Sequence, residues 1–252
     1  MNVRAKKELG QHFLVDENIL GVIGRLAELG PDDVVLEIDP GLGVLTRYLA
    51  PRVARVHAVE IDRSLEPQLA GLPENVTVHW GDALRLDLPQ EAAKLVANLP
   101  YNVATPLLVE SLDGLPQIRL WCVMVQREVA DRLFAAPATK AYGAVSVLVQ
   151  LAAARTGFHP VSRTVFRPRP NVDSALVAFR RTDLPPDFAR VKQVVNAAFA
   201  HRRKTLPNSL ALSGFASRER AAAALAAVGR DETTRAEALS PPEFVALAEA
   251  LR

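Results

Sequence analysis

Val34-Val35-Leu36-Glu37-Ile38-Asp39-Pro40-Gly41-Leu42-Gly43 decides the fold. Five residues, mostly aliphatic and β-branched, run into a proline-glycine turn, and Leu42 to Leu49 then carries a helical pattern. Strand, glycine turn and helix in that order let a ligand approach the backbone of an open α/β sheet. Further apolar runs follow at Val53 to Ile61, Val76 to Trp80, Leu95 to Ala97, Leu120 to Val125 and Ala175 to Phe179. Helical patterns lie between them at Pro106 to Leu112 and Arg127 to Phe134, and Val145 to Ala154 is another apolar run. This alternation predicts an α/β fold: a mostly parallel sheet with helices on both faces.

Asp183-Leu184-Pro185-Pro186-Asp187 ends the alternation, because paired prolines continue neither a strand interior nor a helix. The reading places one domain at residues 1–183 and a small all-helical domain at 184–252. In the second, Val191 to Ala200 and Arg218 to Val228 read as helices, the latter ended by Gly229. Ser240-Pro241-Pro242-Glu243 has capping-box spacing and opens a last helix to Leu251.

The chain has 252 residues, 49% hydrophobic and 23% charged, enough to build a core. The single cysteine, Cys122, excludes an intrachain disulfide. No apolar run reaches the roughly 18 residues of a membrane span, and the start lacks a signal-peptide core. A cytoplasmic protein without a membrane anchor is expected. The net charge of +2 is unevenly spread. Residues 1–100 hold ten basic and fifteen acidic side chains, whereas residues 155–204 hold eleven basic and three acidic. A basic half predicts a polyanion partner, against the alternative of a solvated charged face.

Polar residues recur at the strand ends. Glu37 and Asp39 flank Ile38 ahead of Gly41, Glu60 follows Glu37 by 23 residues, Asp82 follows the third strand, and Asn98 ends the fourth. A carboxylate at the position of Glu60 suits ribose hydroxyls, and Asp82 suits an adenine amine. Open α/β sheets bind ligands along this edge. The full Gly-x-Gly-x-x-Gly phosphate fingerprint is missing, which favours S-adenosylmethionine over NAD. Its sulfonium already activates the methyl group, so no metal is expected.

Asn98-Leu99-Pro100-Tyr101 points to chemistry on an amine attached to an aromatic ring. Such an amine is a poor nucleophile because its lone pair is delocalised. The Asn98 side-chain oxygen and the Leu99 carbonyl can accept its two hydrogens and free that lone pair. Pro100 stiffens the turn, and Tyr101 offers a ring for base stacking. The same tetrapeptide also suits an ordinary strand-to-helix turn.

With these motifs in place the chain resembles the KsgA family of ribosomal RNA adenine dimethyltransferases. The resemblance rests on Lys7 to Asp16, Leu36 to Thr46, Val59 to Asp62, Asn98 to Asn102, Met124 to Leu133, Tyr142 to Gln150, Phe166 to Ala175 and Ala198 to Leu206. It implies a Rossmann-like methyltransferase sheet that dimethylates two adjacent adenines near the 3′ end of small-subunit rRNA, within the small ribosomal subunit. It implies cofactor contacts at His12, Leu14, Asp39, Gly41, Glu60, Asp82 and Asn98. Tyr101 and Phe166 would sandwich the target base, although Phe166 alone reads equally as core. Arg163, Arg167, Arg169, Arg202, Arg203 and Lys204 would contact phosphates, or the last three would form a helix C-terminal charge cluster. A monomer is expected.

Two positions depart from the family pattern. Asp39 stands where the family has glycine, and the following proline predicts extended backbone there. Its carboxylate would lie where the cofactor approaches, weakening affinity. His12 replaces an asparagine, which reads as a mild change. The alternatives to an active small-subunit enzyme are an RNA-binding assembly factor with weakened catalysis and a large-subunit rRNA methyltransferase conferring antibiotic resistance.

Overall fold

Five of the apolar runs form parallel strands in one sheet. A computed structural model describes Lys6 and residues 10–252; Lys7, Glu8 and Leu9 of the N-terminal motif lie outside the described residues. In chain order the elements begin β1 (Phe13–Leu14), α1 (Glu17–Leu26), β2 (Val34–Ile38), α2 (Val44–Leu49), β3 (Arg55–Glu60), α3 (Glu66–Leu69) and β4 (Val76–Trp80). They continue β5 (Lys94–Asn98), α4 (Ala104–Gly114), β6 (Leu120–Gln126), α5 (Arg127–Leu133), α6 (Ala144–Ala152), β7 (Ala153–Val161), β8 (Phe166–Arg167) and β9 (Ser174–Arg181). The helices α7 (Phe188–Phe199), α8 (Leu206–Leu212), α9 (Arg218–Ala227) and α10 (Pro241–Ala250) close the chain.

The seven-stranded sheet has the order β4-β3-β2-β5-β6-β9-β7, and β1 pairs with β8 in a separate ribbon. Strands β4 to β6 run parallel, while β9 runs antiparallel to β6 with Leu120 opposite Arg180. The register places Glu60 opposite Trp80 and Asn98 opposite Met124. Glu60 and Asn98 therefore both finish at the carboxyl edge of the sheet, where α/β folds bind ligands.

Burial explains which runs became strands. In β6 all residues from Leu120 to Val125 are buried, which is why the strand reads as a continuous apolar run rather than an alternation. Trp121 stacks on Phe179 at 5.1 Å and satisfies its indole N–H on Ser111 Oγ at 2.8 Å. Helix α1 is capped by Asp16, whose side chain accepts from the Asn18 N–H, and it buries Ile19, Leu20 and Ile23. Each of those three contributes about 1.5–3 kcal/mol by leaving water.

The chain divides into two compact units: residues up to Ala130 with Arg155–Arg181, and Asp131–Ala154 with Thr182–Arg252. One break falls beside Asp183. However, residues 131–154, counted with the first domain from sequence, belong to the second unit. The physical reason is α6, whose Val147, Leu148 and Val149 are buried and which packs on α7 and α10. At the start of α10 the capping box forms as its spacing predicts: Glu243 Oε2 accepts from Ser240 N at 2.7 Å and from Ser240 Oγ at 2.6 Å.

Candidate active site

The residue that organises the cofactor edge is Glu60, wholly buried at the end of β3. Its Oε2 accepts from the Gly41 N–H at 3.1 Å and its Oε1 from the Asp62 N–H at 2.8 Å. Both oxygens are thereby aimed before any ligand arrives. Gly41 has φ +58°, and a Cβ there would meet the Phe13 ring at 3.0 Å, so only glycine fits this approach.

Asp62 holds the edge in place from behind. It accepts from Lys6 Nζ at 2.7 Å, Gln11 Nε2 at 3.0 Å and Ser64 Oγ at 2.6 Å. Burial works to raise its carboxyl, but the bonds from Lys6, Ser64 and Gln11 outweigh it and hold the group down at about 2. A carboxyl depressed in the folded state stabilises above its unfolded value and loses that contribution as pH falls through about 4 to 2. Asp62→Asn is expected to lower unfolding free energy by about 2 kcal/mol at pH 7. Urea unfolding at pH 7 and pH 2.5 should show the gap between the two proteins shrink at the lower pH.

Two cavities meet at Asp39. One, of about 140 Å³, is bordered by Val59, Ile61, Asp82, Leu84, Pro100 and Val103. The smaller, of about 20 Å³, is bordered by His12, Phe13, Leu14, Glu37, Gly41 and Asn98. Asp39 lines both. Ile61 and Leu84 are apolar yet 49% and 40% exposed, as the walls of a flat hydrophobic ligand would be. The sequence reading missed both, because apolar residues are first assigned to a core; the available signal was Ile61 directly after the strand-end Glu60. A larger cavity of about 220 Å³ lies against α4 and shares Ile38, Ala83, Leu84 and Leu107, but neither Asp39 nor Asn98 lines it.

The residues suit an adenosine-bearing cofactor on one further ground. Glu37 is buried, its Oε2 has no hydrogen-bond partner among the described residues, and its carboxyl is raised by burial to about 8. A polar atom left so beside a cavity marks a place for a ligand group. Asp82 contributes less freely. Its Oδ1 accepts from the Leu84 N–H at 3.0 Å, and its Oδ2 lies 3.4 Å from Arg85 Nε.

At the turn after β5, Asn98 Nδ2 donates to the His12 carbonyl at 3.1 Å. That bond fixes the amide's orientation and leaves Oδ1 as its acceptor. Leu99 is buried and its N–H donates to Met124 O at 3.0 Å, while Pro100 O accepts from the Ala104 N–H at 3.0 Å. The Tyr101 hydroxyl lies 2.6 Å from Ser174 Oγ, and its ring centroid is 5.4 Å from that of His12. Burial raises the Tyr101 phenol above its ordinary value, so it stays protonated.

A family model described as Ribosomal RNA adenine dimethylase matches residues 2–252. The chain belongs to that family. It is 49% identical over 251 residues to the Ribosomal RNA small subunit methyltransferase A of Rubrobacter xylanophilus, covering 97% of this chain and 94% of that protein. It is 45% identical to the protein of the same name from Thermobifida fusca, covering 99% and 91%. Among solved structures, a dimethyladenosine transferase from Plasmodium falciparum superposes with a TM-score of 0.78 at 25% identity, covering 94% of this chain and 96% of that one. The 23S rRNA methyltransferase ErmE superposes with a TM-score of 0.67 at 30% identity, covering 95% and 99%.

Within this family member the structure corrects two expectations. Asp39 is not extended: its φ is +61°, in the left-handed region that glycine prefers. Its N–H donates to Val59 O at 2.9 Å, and that tertiary bond outweighs the local preference set by Pro40. Asp39 therefore keeps a backbone suited to glycine while carrying a carboxyl. That carboxyl is pushed up by burial and by the charge of Glu60. Phe166 is also placed differently. Its ring has no exposed surface and packs with Leu14, Ile19, Leu20 and Val165, so it offers no face to a base. Its backbone pairs with Leu14 across β1 and β8. Leu14 is likewise buried, and it reaches the smaller cavity as part of its wall.

The basic residues fall into two groups. Arg167 lies in β8, with Arg163 and Arg169 on either side, in the first unit; Arg163 Nη1 donates to Asn171 O at 2.7 Å, and Arg167 Nη1 to Phe166 O at 3.3 Å. Arg202, Arg203 and Lys204 are exposed in the turn after α7, beyond its last helical residue, Phe199. Arg202 Nη2 donates to Tyr142 O at 2.8 Å. Among the described residues no helix is long and apolar enough to cross a membrane.

Proposed function

We propose that this chain dimethylates the exocyclic amines of two adjacent adenines near the 3′ end of small-subunit rRNA, using S-adenosylmethionine, in the cytoplasm and as a monomer. The observation that carries the reading is the Asn98 amide. Its nitrogen is committed to His12, so its oxygen is the acceptor beside the smaller cavity, which Asp39 shares with the cavity that Asp82 borders. When bound, S-adenosylmethionine supplies a sulfonium-activated methyl group for in-line transfer. The chain's part is to place the amine. Asn98 Oδ1 and the Leu99 carbonyl accept its two hydrogens, and Tyr101 stacks on its ring. Glu60 would hold the ribose and Ile61 and Leu84 the adenine. No strong base is required, because the nitrogen's proton becomes acidic once it is alkylated.

Arg163, Arg167, Arg169, Arg202, Arg203 and Lys204 would bind the rRNA backbone, the last three from a helical unit docking on the small ribosomal subunit. The relatives named for the small subunit are 45–49% identical, against 30% for ErmE, which favours the small-subunit substrate. Labelled methyl transfer to small subunits lacking dimethyladenine, mapped by reverse-transcription stops, tests this. Stops at two adjacent adenines near the 3′ end are expected. Binding without methylation would support an assembly factor, and label confined to large subunits would support the resistance-type substrate; either overturns the proposal.

A further inference from the structure

His12 does more than replace the family's asparagine. Two hydrogen bonds and a ring contact converge on it, from the turn at Asn98–Tyr101 and from Pro168. Its carbonyl accepts from Asn98 Nδ2 at 3.1 Å, its Nδ1 lies 2.8 Å from Pro168 O, and its ring sits 5.4 Å from the Tyr101 ring at an interplanar angle of 31°. A carbonyl only accepts, so Nδ1 carries a proton and the imidazole's orientation is fixed. That distance and tilt lie within the range of favourable aromatic pairs. It is also too short for a base to slide between the two rings, which would need roughly 7 Å from ring to ring at van der Waals contact on both faces.

We infer that His12 is a positioning residue that backs the Tyr101 ring, so that the target base stacks on the opposite face. The inference rests on the proposed methylation of an adenine. Tyr101 is then gripped twice, its hydroxyl by Ser174 at 2.6 Å and one face by His12. Phe166 is wholly buried and cannot close a sandwich, whereas His12 extends the stack behind the tyrosine. An asparagine at position 12 has no ring to do this. His12 also borders the smaller cavity, but asparagine keeps a polar group there, so the effect of losing the ring should fall mainly on the RNA step.

The test compares His12→Asn, His12→Phe, Tyr101→Ala and the double variant His12→Asn/Tyr101→Ala, using unmethylated small subunits. His12→Asn is expected to lower kcat by about tenfold, the scale of one aromatic pair, with KM for S-adenosylmethionine changed less than about twofold. His12→Phe, which keeps a ring, should stay within about threefold of wild type. The double variant should be no slower than Tyr101→Ala alone. Losses that multiply, an effect confined to the cofactor KM, or His12→Phe as slow as His12→Asn would each overturn the inference. The melting temperatures of wild type, His12→Asn, Tyr101→Ala and the double variant without cofactor give an arm independent of activity. Non-additive shifts support the His12–Tyr101 contact even if no protein methylates, which would count against the function alone; additive shifts would refute the contact.

Discussion

Replacing Asp39 with glycine is expected to tighten S-adenosylmethionine binding by about 5- to 150-fold, the equivalent of about 1–3 kcal/mol for removing an unmatched buried polar group. Three observations set the direction. Asp39 lines both cavities beside the sheet edge, its carboxyl is raised by burial and by the charge of Glu60, and its backbone is left-handed at φ +61°. Glycine removes the obstruction, frees Glu60 for its ligand and relieves about 1 kcal/mol of backbone strain. The causes separate by substitution. Asp39→Asn removes the charge at a φ that asparagine tolerates, whereas Asp39→Ala removes the carboxyl but keeps a Cβ in the strained region. Titration calorimetry of the three variants should rank glycine tightest. Equal affinities for wild type and Asp39→Gly would show that the cofactor accommodates the carboxyl.

Asp39 also carries a pH signature. Burial and Glu60 raise its carboxyl, with Asp62 adding to the repulsion. Glu60 is itself raised by burial. A carboxyl raised in the folded state binds more protons there than in the unfolded chain, so stability falls as pH rises through the interval between the two values. Nearby Glu37, raised to about 8, behaves in the same sense and persists in the variant. Wild type should therefore lose stability between about pH 4 and pH 8 more steeply than Asp39→Gly, and urea unfolding across that range measures the difference.

The central strands were legible because of where they sit. β2, β5 and β6 are covered on both faces, so burial writes itself as unbroken apolar runs. β7 gave no such signal. It is the edge strand, its Arg155 and His159 stand among polar and half-buried neighbours, and Gly157 and Pro160 interrupt any run. Helix α1 was passed over although Asp16 caps it and Ile19, Leu20 and Ile23 share its buried face; Gly21 and Gly24 dilute the helical pattern. The helical unit shows the limit of a one-cut boundary. A proline pair at 185–186 marks where the chain crosses over for the last time, but not that residues 131–154 had already joined the second unit.

The site was legible at its polar corners and obscure at its apolar walls. Glu60, Asp82 and Asn98 stand at strand ends, where topology alone gives polar residues a purpose. Ile61 and Leu84 became visible only through exposure, and the contact of His12 with Tyr101 only through distance. Asp39 failed in an instructive way. A rule about the residue before proline concerns only neighbouring atoms, and a hydrogen bond to Val59, twenty residues away, overrode it.

Asn98→Ala should reduce kcat by at least about 1,000-fold, the scale of removing one preorganised catalytic hydrogen-bonding group, while binding of small subunits stays within about threefold of wild type. The argument turns on the two ends of one amide. In the proposed mechanism Oδ1 accepts an amine hydrogen, and the amine gains nucleophilicity only while both hydrogens are held. Nδ2 holds the His12 carbonyl at 3.1 Å, so alanine also releases the segment that backs Tyr101. Asn98→Asp distinguishes the two roles. It keeps an acceptor for the amine but loses the donor to His12 and leaves two oxygens facing a carbonyl. If substrate orientation dominates, Asn98→Asp should retain more activity than Asn98→Ala; if the tie to His12 dominates, the two should be equally slow. Single-turnover rates with saturating S-adenosylmethionine and subunit, together with filter binding of each variant, separate chemistry from binding. Loss of subunit binding in Asn98→Ala would instead make Asn98 a structural support of the turn, because an orienting residue acts after the substrate is already held.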